Sequence, residues 1–183
     1  RVPQKRERVL IVGIRKDLNH HLYEFPKPFK KVYALKDALK KGELYKSDVP
    51  ESIGSKYPIS KKSVLDLVPA GGYWRDLPID LQKQYMGGSF YLGGGKTGMA
   101  RRMSWSEPSL TLTCSPAQKQ TERCHPEETR PFTVREYARI QTFPDDWSFT
   151  GSVSQQYKQI GNAVPVNFAK EVGYSIIRFL NKL

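Results

Sequence analysis

The stretch from Arg130 to Val166 constrains this chain more than any other. Thr133 stands three residues ahead of Glu136, the spacing of a capping box. The threonine hydroxyl then takes the Glu136 amide, and the carboxylate reaches back to the Thr133 amide. Phe132 and Tyr137 flank that cap as a hydrophobic staple. The pattern predicts a short helix over about 133–142, ending before Pro144 because a residue that precedes proline is pushed out of the helical region. A turn, Pro144-Asp145-Asp146, follows. A polar run from Gln156 then closes on Gly161-Asn162, and a second helix is entered at Pro165. That helix, about 165–180, carries Ala169, Val172, Ile176, Ile177 and Leu180 as one apolar stripe that has to bury against something.

The formal charge of the 183-residue chain is +12, and residues 1–50 hold 13 Lys/Arg against 6 Asp/Glu. A basic excess of this size points to a polyanion, most simply nucleic acid. The length suits one large or two small domains. Hydrophobic content of 38% fits a soluble protein. No apolar run approaches the ~20 residues of a membrane span, and the first residues do not read as a signal peptide. Two cysteines, Cys114 and Cys124, suit a reducing cytoplasm rather than a disulfide scaffold. With His125 they lack both a paired C-x-x-C and a fourth ligand, so no metal site is expected.

Along the chain, Val9 to Ile14 is a nearly continuous apolar run rich in β-branched residues, the pattern of a strand buried on both faces. Arg6 and Arg8, at alternate positions of its entrance, would share a face. Residues 17–31, with two histidines and two prolines, read as a connecting loop. Val32, Leu35, Ala38 and Leu39 recur at helical spacing over 32–41. Ser63 is placed to cap a single turn holding Val64, Leu65, Leu67 and Val68. A short helix is expected from about Asp80 to Met86. Residues 87–104 are rich in glycine, which lets a backbone come close to a ligand. Lys96, Arg101 and Arg102 add cationic donors to that loop. The phosphate-loop spacing is absent and no strand precedes it, so a DNA-facing loop is the favoured reading. Gln118, Lys119, Gln120 and Arg123 are side-chain types that read base edges or hold phosphates, and they suit a solvated loop equally well.

Capping and turn rules do not explain why R-E-x-A-R-I-Q-T-F-P-D, from Arg135, is followed by Q-Q-Y-K-Q-I-G-N-A-V-P-V, from Gln155. These two segments resemble the last two conserved motifs of the DNA (cytosine-5) methyltransferases. The opening Val2-Pro3-Gln4-x-Arg6-x-Arg8-Val9 resembles the motif that closes that family's catalytic domain. Glu107-Pro108-x-x-Thr111-Leu112 resembles the signature within its target-recognition region. The resemblance runs over essentially the whole chain.

It implies an α/β fold: the C-terminal part of a Rossmann-like methyltransferase, one sheet strand with closing helices, carrying an irregular α+β target-recognition domain. Residues 1–31 would end the catalytic domain, 32–130 would form the recognition domain, and 131–183 would hold the closing motifs and a helix packed on the catalytic domain. It implies that Arg8 contacts a flipped cytosine, with Gln4 and Arg6 supporting the flipped state. Thr111 and Leu112 would lie at the DNA backbone, and Lys96, Arg101, Arg102, Gln118, Lys119, Gln120 and Arg123 would face the duplex. Arg135, Glu136 and Arg139 would join the recognition domain to the catalytic one. Asn162, Ala163 and Val164 would border the pocket of S-adenosylmethionine, the methyl donor.

The same chemistry shows what is not here. Carbon 5 of cytosine becomes nucleophilic only after a thiolate adds at carbon 6, and the family carries that thiolate in a Pro-Cys pair. Cys114 follows Thr113 and Cys124 follows Arg123. The Glu-Asn-Val segment and the Gly-rich cofactor loop are also missing. The expectation is therefore a chain inactive alone, with double-stranded DNA and an N-terminal catalytic half as partners. Its opening inside a motif favours a piece of a longer chain over a natural split subunit. The competing class is a non-catalytic DNA-binding specificity subunit or a regulatory module.

Overall fold

In the computed structural model, residues 1–18 and 23–183 are described, and the two histidines of the expected connecting loop, His20 and His21, lie outside them. The architecture is mixed, with a two-stranded parallel sheet among helices and irregular segments. Strand β1 is Gln4–Lys5 and β2 is Ser109–Leu110, paired Gln4 to Ser109 and Lys5 to Leu110. The helices are α1 (Leu35–Leu39), α2 (Ile59–Leu65), α3 (Ile79–Met86), α4 (Val134–Ile140), α5 (Val153–Asn162) and α6 (Val166–Leu180).

Helix α4 forms as its cap predicts. The Glu136 amide donates to Thr133 Oγ1 at 3.3 Å, and the Thr133 amide donates to the Glu136 carboxylate at 2.7 Å. The staple residues Phe132 and Tyr137 are both fully buried. The helix ends at Ile140, and Thr142 just beyond its Gln141 cap has a left-handed φ of 60°. Its hydroxyl there takes the amide of Asn167 at 2.9 Å, fixing the start of α6.

Three sequence expectations change. The run Val9–Ile14 forms no strand among the described residues, with Val9 and Ile11 each 88% exposed. A strand needs a neighbour for its amides and carbonyls, and the described residues offer none beside it; the pairing falls instead at Gln4 and Lys5. Ser63 does not open a helix. Helix α2 starts four residues earlier, behind Pro58, and the Ser63 hydroxyl bonds back to the Ser60 carbonyl within it. The polar run before Gly161-Asn162 is a ten-residue helix, α5, capped by Ser152 with Gln155 closing a second capping box. Tyr157 and Ile160 are its buried face.

Two apolar clusters organise the molecule. One joins α1, α4 and α5 through Leu35, Leu39, Phe132, Tyr137, Ile140 and Ile160. The other joins α2, α3 and the segment around Met99 through Leu65, Trp74, Met86 and Cys124. Burial pushes the Cys124 thiol up to about 11, so it stays protonated and inert. Helix α6 buries Ser175 and Phe179, while Ile176, Ile177 and Leu180 of its predicted stripe are 41–56% exposed.

Candidate nucleic-acid interface

The β1–β2 pairing brings the opening segment and the Glu107–Leu112 segment together. Thr111 Oγ1 donates to the Lys5 carbonyl at 2.9 Å, and the Ser109 amide donates to Pro3 O at 2.9 Å. Alternation then sorts the entrance residues. Gln4 points inward and is 8% exposed. Its amide nitrogen donates to Gln141 Oε1 at 3.0 Å, and its oxygen accepts from the Leu112 amide at 3.0 Å. Gln141 passes the relay on to the Ile160 carbonyl at 2.9 Å. One buried pair of carboxamides therefore links β1, the segment after β2, the end of α4 and α5.

Arg6, on the same face, donates to the Leu112 carbonyl at 3.2 Å and the Gly161 carbonyl at 3.3 Å. Gly161 has to be glycine, because a Cβ there would lie 2.5 Å from the Thr113 oxygen. Arg8 is exposed, and its hydrogen bond among the described residues is to the neighbouring Glu7 carbonyl, at 2.6 Å. It lines a cleft of about 470 Å³ with Lys5, Thr97, Thr111, Gln120 and Arg123. A second cleft, about 490 Å³, is lined by Ser89, Lys96, Met99, Gln118, Lys119 and Gln120. The ridge Gln118-Lys119-Gln120 is exposed; all three residues line the second cleft, and Gln120 lines both.

Other expected DNA-facing residues occupy different places. Arg102 is 5% exposed; its guanidinium is spent on the carbonyls of Val68 (2.7 Å), Leu65 (2.7 Å) and His125 (3.1 Å) and on the Thr129 hydroxyl. Arg123 is equally buried, donating to Thr111 O at 2.6 and 3.1 Å, so it braces the wall of the first cleft. Leu112 is 1% exposed and lies in the core. Arg101 is half-buried over the Tyr73 ring, 5.8 Å from its centroid. The Lys96 ammonium folds back onto the Ser89 and Leu92 carbonyls.

Arg135, Glu136 and Arg139 are each held by charged or carbonyl partners. Arg139 has a fully buried side chain that pairs with Asp145 at 2.6 Å, donates to the Ser47 and Asp48 carbonyls, and stacks 4.2 Å over the Tyr45 ring. Glu136 holds Arg130 through two oxygens, at 2.7 and 2.9 Å. Arg135 donates to the carbonyls of Pro144 and Trp147.

At the end of α5, Asn162 is exposed and its Oδ1 accepts from the Cys114 thiol at 3.3 Å. Val164 is 57% exposed. This edge offers an amide and an apolar side chain, which fits the border of a nucleoside pocket but supplies no enclosure. Gln141, Lys61, Tyr85 and Glu122 carry no role in the sequence reading, yet each is tied into this region by hydrogen bonds or an ion pair. Gln141 stands inside a quoted motif; Glu122 sits in a polar loop and looks solvated there.

A family model described as C-5 cytosine-specific DNA methylase matches residues 1–178. The chain is 69% identical to the Type II methyltransferase M.Eco47II of Escherichia coli, matching 100% of this chain and 44% of that relative. It is 68% identical to M.PspPI of Psychrobacter sp. (strain TA137) over 99% of its length and 44% of the relative's. With M.Sau96I of Staphylococcus aureus the identity is 59%, over 99% and 41%. The chain thus spans less than half the length of these curated relatives, and it belongs to the C-5 cytosine-specific DNA methylase family.

Proposed function

We propose that this chain is the target-recognition half of a DNA (cytosine-5) methyltransferase of a restriction-modification system, working with an N-terminal half that carries the Pro-Cys nucleophile. The observation that supports this best is the β1–β2 junction. It sets Arg8, at the mouth of one segment, in one cleft with Thr111 and with Gln120, the last residue of the ridge.

In this reading the ridge and its flanking clefts meet the duplex, and the target cytosine leaves the stack to reach Arg8. The guanidinium lies where negative charge grows on the cytosine oxygen during attack at carbon 6, so it stabilises the transition state more than the ground state. Arg6 and Gln4 touch no base; they hold the entrance segment against Leu112 and Gly161. Asn162, Ala163 and Val164 border S-adenosylmethionine, which supplies the methyl group when bound. The run Val9–Ile14, which pairs with none of the described residues, and the exposed stripe of α6 are the surfaces that the N-terminal half covers, since contiguous exposed apolar surface marks an interface.

The test joins the chain to an N-terminal half and supplies duplex DNA with labelled S-adenosylmethionine. Methyl transfer by the joined protein, and none by the chain alone, is the expected result. Tight duplex binding by the joined protein without transfer would replace this reading with a non-catalytic specificity module.

A further inference from the structure

Glu122 is the most completely buried carboxylate of the loop system that walls both clefts, with a side chain 0% exposed. Three donors converge on it: the Lys61 ammonium from α2, the Tyr85 hydroxyl from α3, which lies 2.8 Å from each oxygen, and the Ala100 amide. Its own amide donates to the Gly98 carbonyl at 2.9 Å. Glu122 therefore fastens two helices and the Gly98–Ala100 segment to the loop that carries the exposed ridge.

The attachment is tight on every side. Ala100 is held with a left-handed φ of 45°. Gly98 has no room for a Cβ, because the Gln120 carbonyl lies against it. The Lys61 ammonium also donates to Ala117 O at 2.7 Å, and the Lys119 ammonium returns to the Tyr85 carbonyl. Within the ridge, the Thr121 amide closes on Gln118 O at 3.0 Å. Burial raises the carboxyl of Glu122, and Lys61, Tyr85 and Ala100 pull it the other way.

A buried ion pair is a poor route to stability, since apolar residues of the same volume often do as well or better. Its distinctive property is direction: three donors on one carboxylate fix the angle between the loops in a way that a greasy contact does not. No part of Glu122 reaches the surface, so it cannot read DNA itself.

We propose that Glu122 is a positioning residue for sequence discrimination: its buried carboxylate sets the placement of the Gln118-Lys119-Gln120 ridge against the duplex. This rests on the methyltransferase reading above. Residues that read bases have to be held within a fraction of an ångström by a supporting shell, and Glu122 with Lys61 and Tyr85 is that shell here.

The experiment uses the complete enzyme and bisulfite sequencing of a methylated plasmid, which reports the recognised site and its near-sites together. Three variants are compared: Glu122→Gln, the double change Lys61→Met with Glu122→Gln, and Tyr85→Phe. The double change removes both charges, so no unpaired ammonium stays buried if the single variant fails to fold. Tyr85→Phe takes away one donor only. The expected result is a relaxed site profile, with the ratio of on-site to near-site methylation falling roughly 10-fold, the equivalent of one misplaced base contact. Turnover on the preferred site at saturating DNA stays within a few-fold of the parent. An unchanged profile in the folded variants overturns the proposal, including the case in which they only melt earlier. So does a uniform loss of turnover with the profile intact. A parent enzyme that methylates nothing would instead refute the methyltransferase reading and, with it, the role built on it.

Discussion

Replacing Gln4 with alanine removes the centre of the buried relay. Two groups lose their partner at once: the Leu112 amide and Gln141 Oε1, each now 3.0 Å from Gln4. Both lie in the interior, with Leu112 at 1% and Gln141 at 0% exposure. An orphaned buried polar group costs about 1–3 kcal/mol, so the pair predicts a loss of about 2–6 kcal/mol. Water entering the vacated space would bring the loss toward the lower end. Against the usual ~5–15 kcal/mol of domain stability, either end is large. Gln4→Met separates the contributions, since it fills the space but still leaves both partners orphaned. Its cost should lie within about 1 kcal/mol of the alanine variant if orphaned polar groups dominate. Urea unfolding of the complete enzyme, followed by tryptophan fluorescence, gives the midpoint shift and the slope. A shift worth less than ~1 kcal/mol for Gln4→Ala, with an unchanged slope, would refute a closed, dry relay at the β1–β2 junction.

Arg8→Ala in the complete enzyme should cost on the order of 100- to 1,000-fold in turnover while changing duplex affinity little; turnover within a few-fold of the parent removes Arg8 from the chemistry. Arg8→Lys should also be impaired, because lysine keeps the charge without the planar fork. DNA affinity of the chain should fall steeply with salt through counterion release, and a titration with no binding at low salt counts against the ridge and its clefts as a DNA surface. Burial lowers the pKa of His125, whose Nδ1 accepts from the Glu127 and Glu128 amides at 3.3 and 3.1 Å. The unfolded chain then binds the proton more readily, so this contribution to stability is complete above the ordinary histidine pKa of ~6.5 and is lost as pH falls through it. A His125→Asn variant should show a shallower stability loss between about pH 7 and 5; an equally steep one refutes the assignment.

Elements governed by local rules were legible in the sequence. The capping box at Thr133 and Glu136 fixed the start of α4, and Pro165 marked the entry to α6 to within a residue. The motif residues located the β1 entrance and the Thr111–Leu112 segment, which pair in space across more than 100 positions. What stayed hidden depends on distant partners. A β-branched run such as Val9–Ile14 carries the propensity of a strand, but a strand exists only where a neighbour accepts its hydrogen bonds. Arg102 and Glu122 look solvated beside glycines and glutamines, and nothing within a few residues of either announces a buried partner. Their partners stand 34–37 positions away for Arg102, at Val68 and Leu65, and 37 for Glu122, at Tyr85.

The positions of the arginines decide how the charge of +12 can act on DNA. Arg102, Arg123 and Arg139 are buried with their donors on carbonyls or, for Arg139, also on Asp145. Charges like these add to the long-range field and to the rate of encounter, but they cannot reach a phosphate without unmaking the core. The salt slope of binding counts phosphates neutralised, close to 0.9 for each contact on duplex DNA. It should therefore fall well below the value that the net charge suggests. Substituting Lys119, exposed on the ridge, should reduce the slope by about 1. Substituting Arg102 should cost stability, through orphaned carbonyls of Val68 and Leu65, and leave the slope of whatever remains folded unchanged. The reverse outcome, a slope that drops with Arg102 and ignores Lys119, would mean that the loop system opens on DNA and exposes its buried arginines.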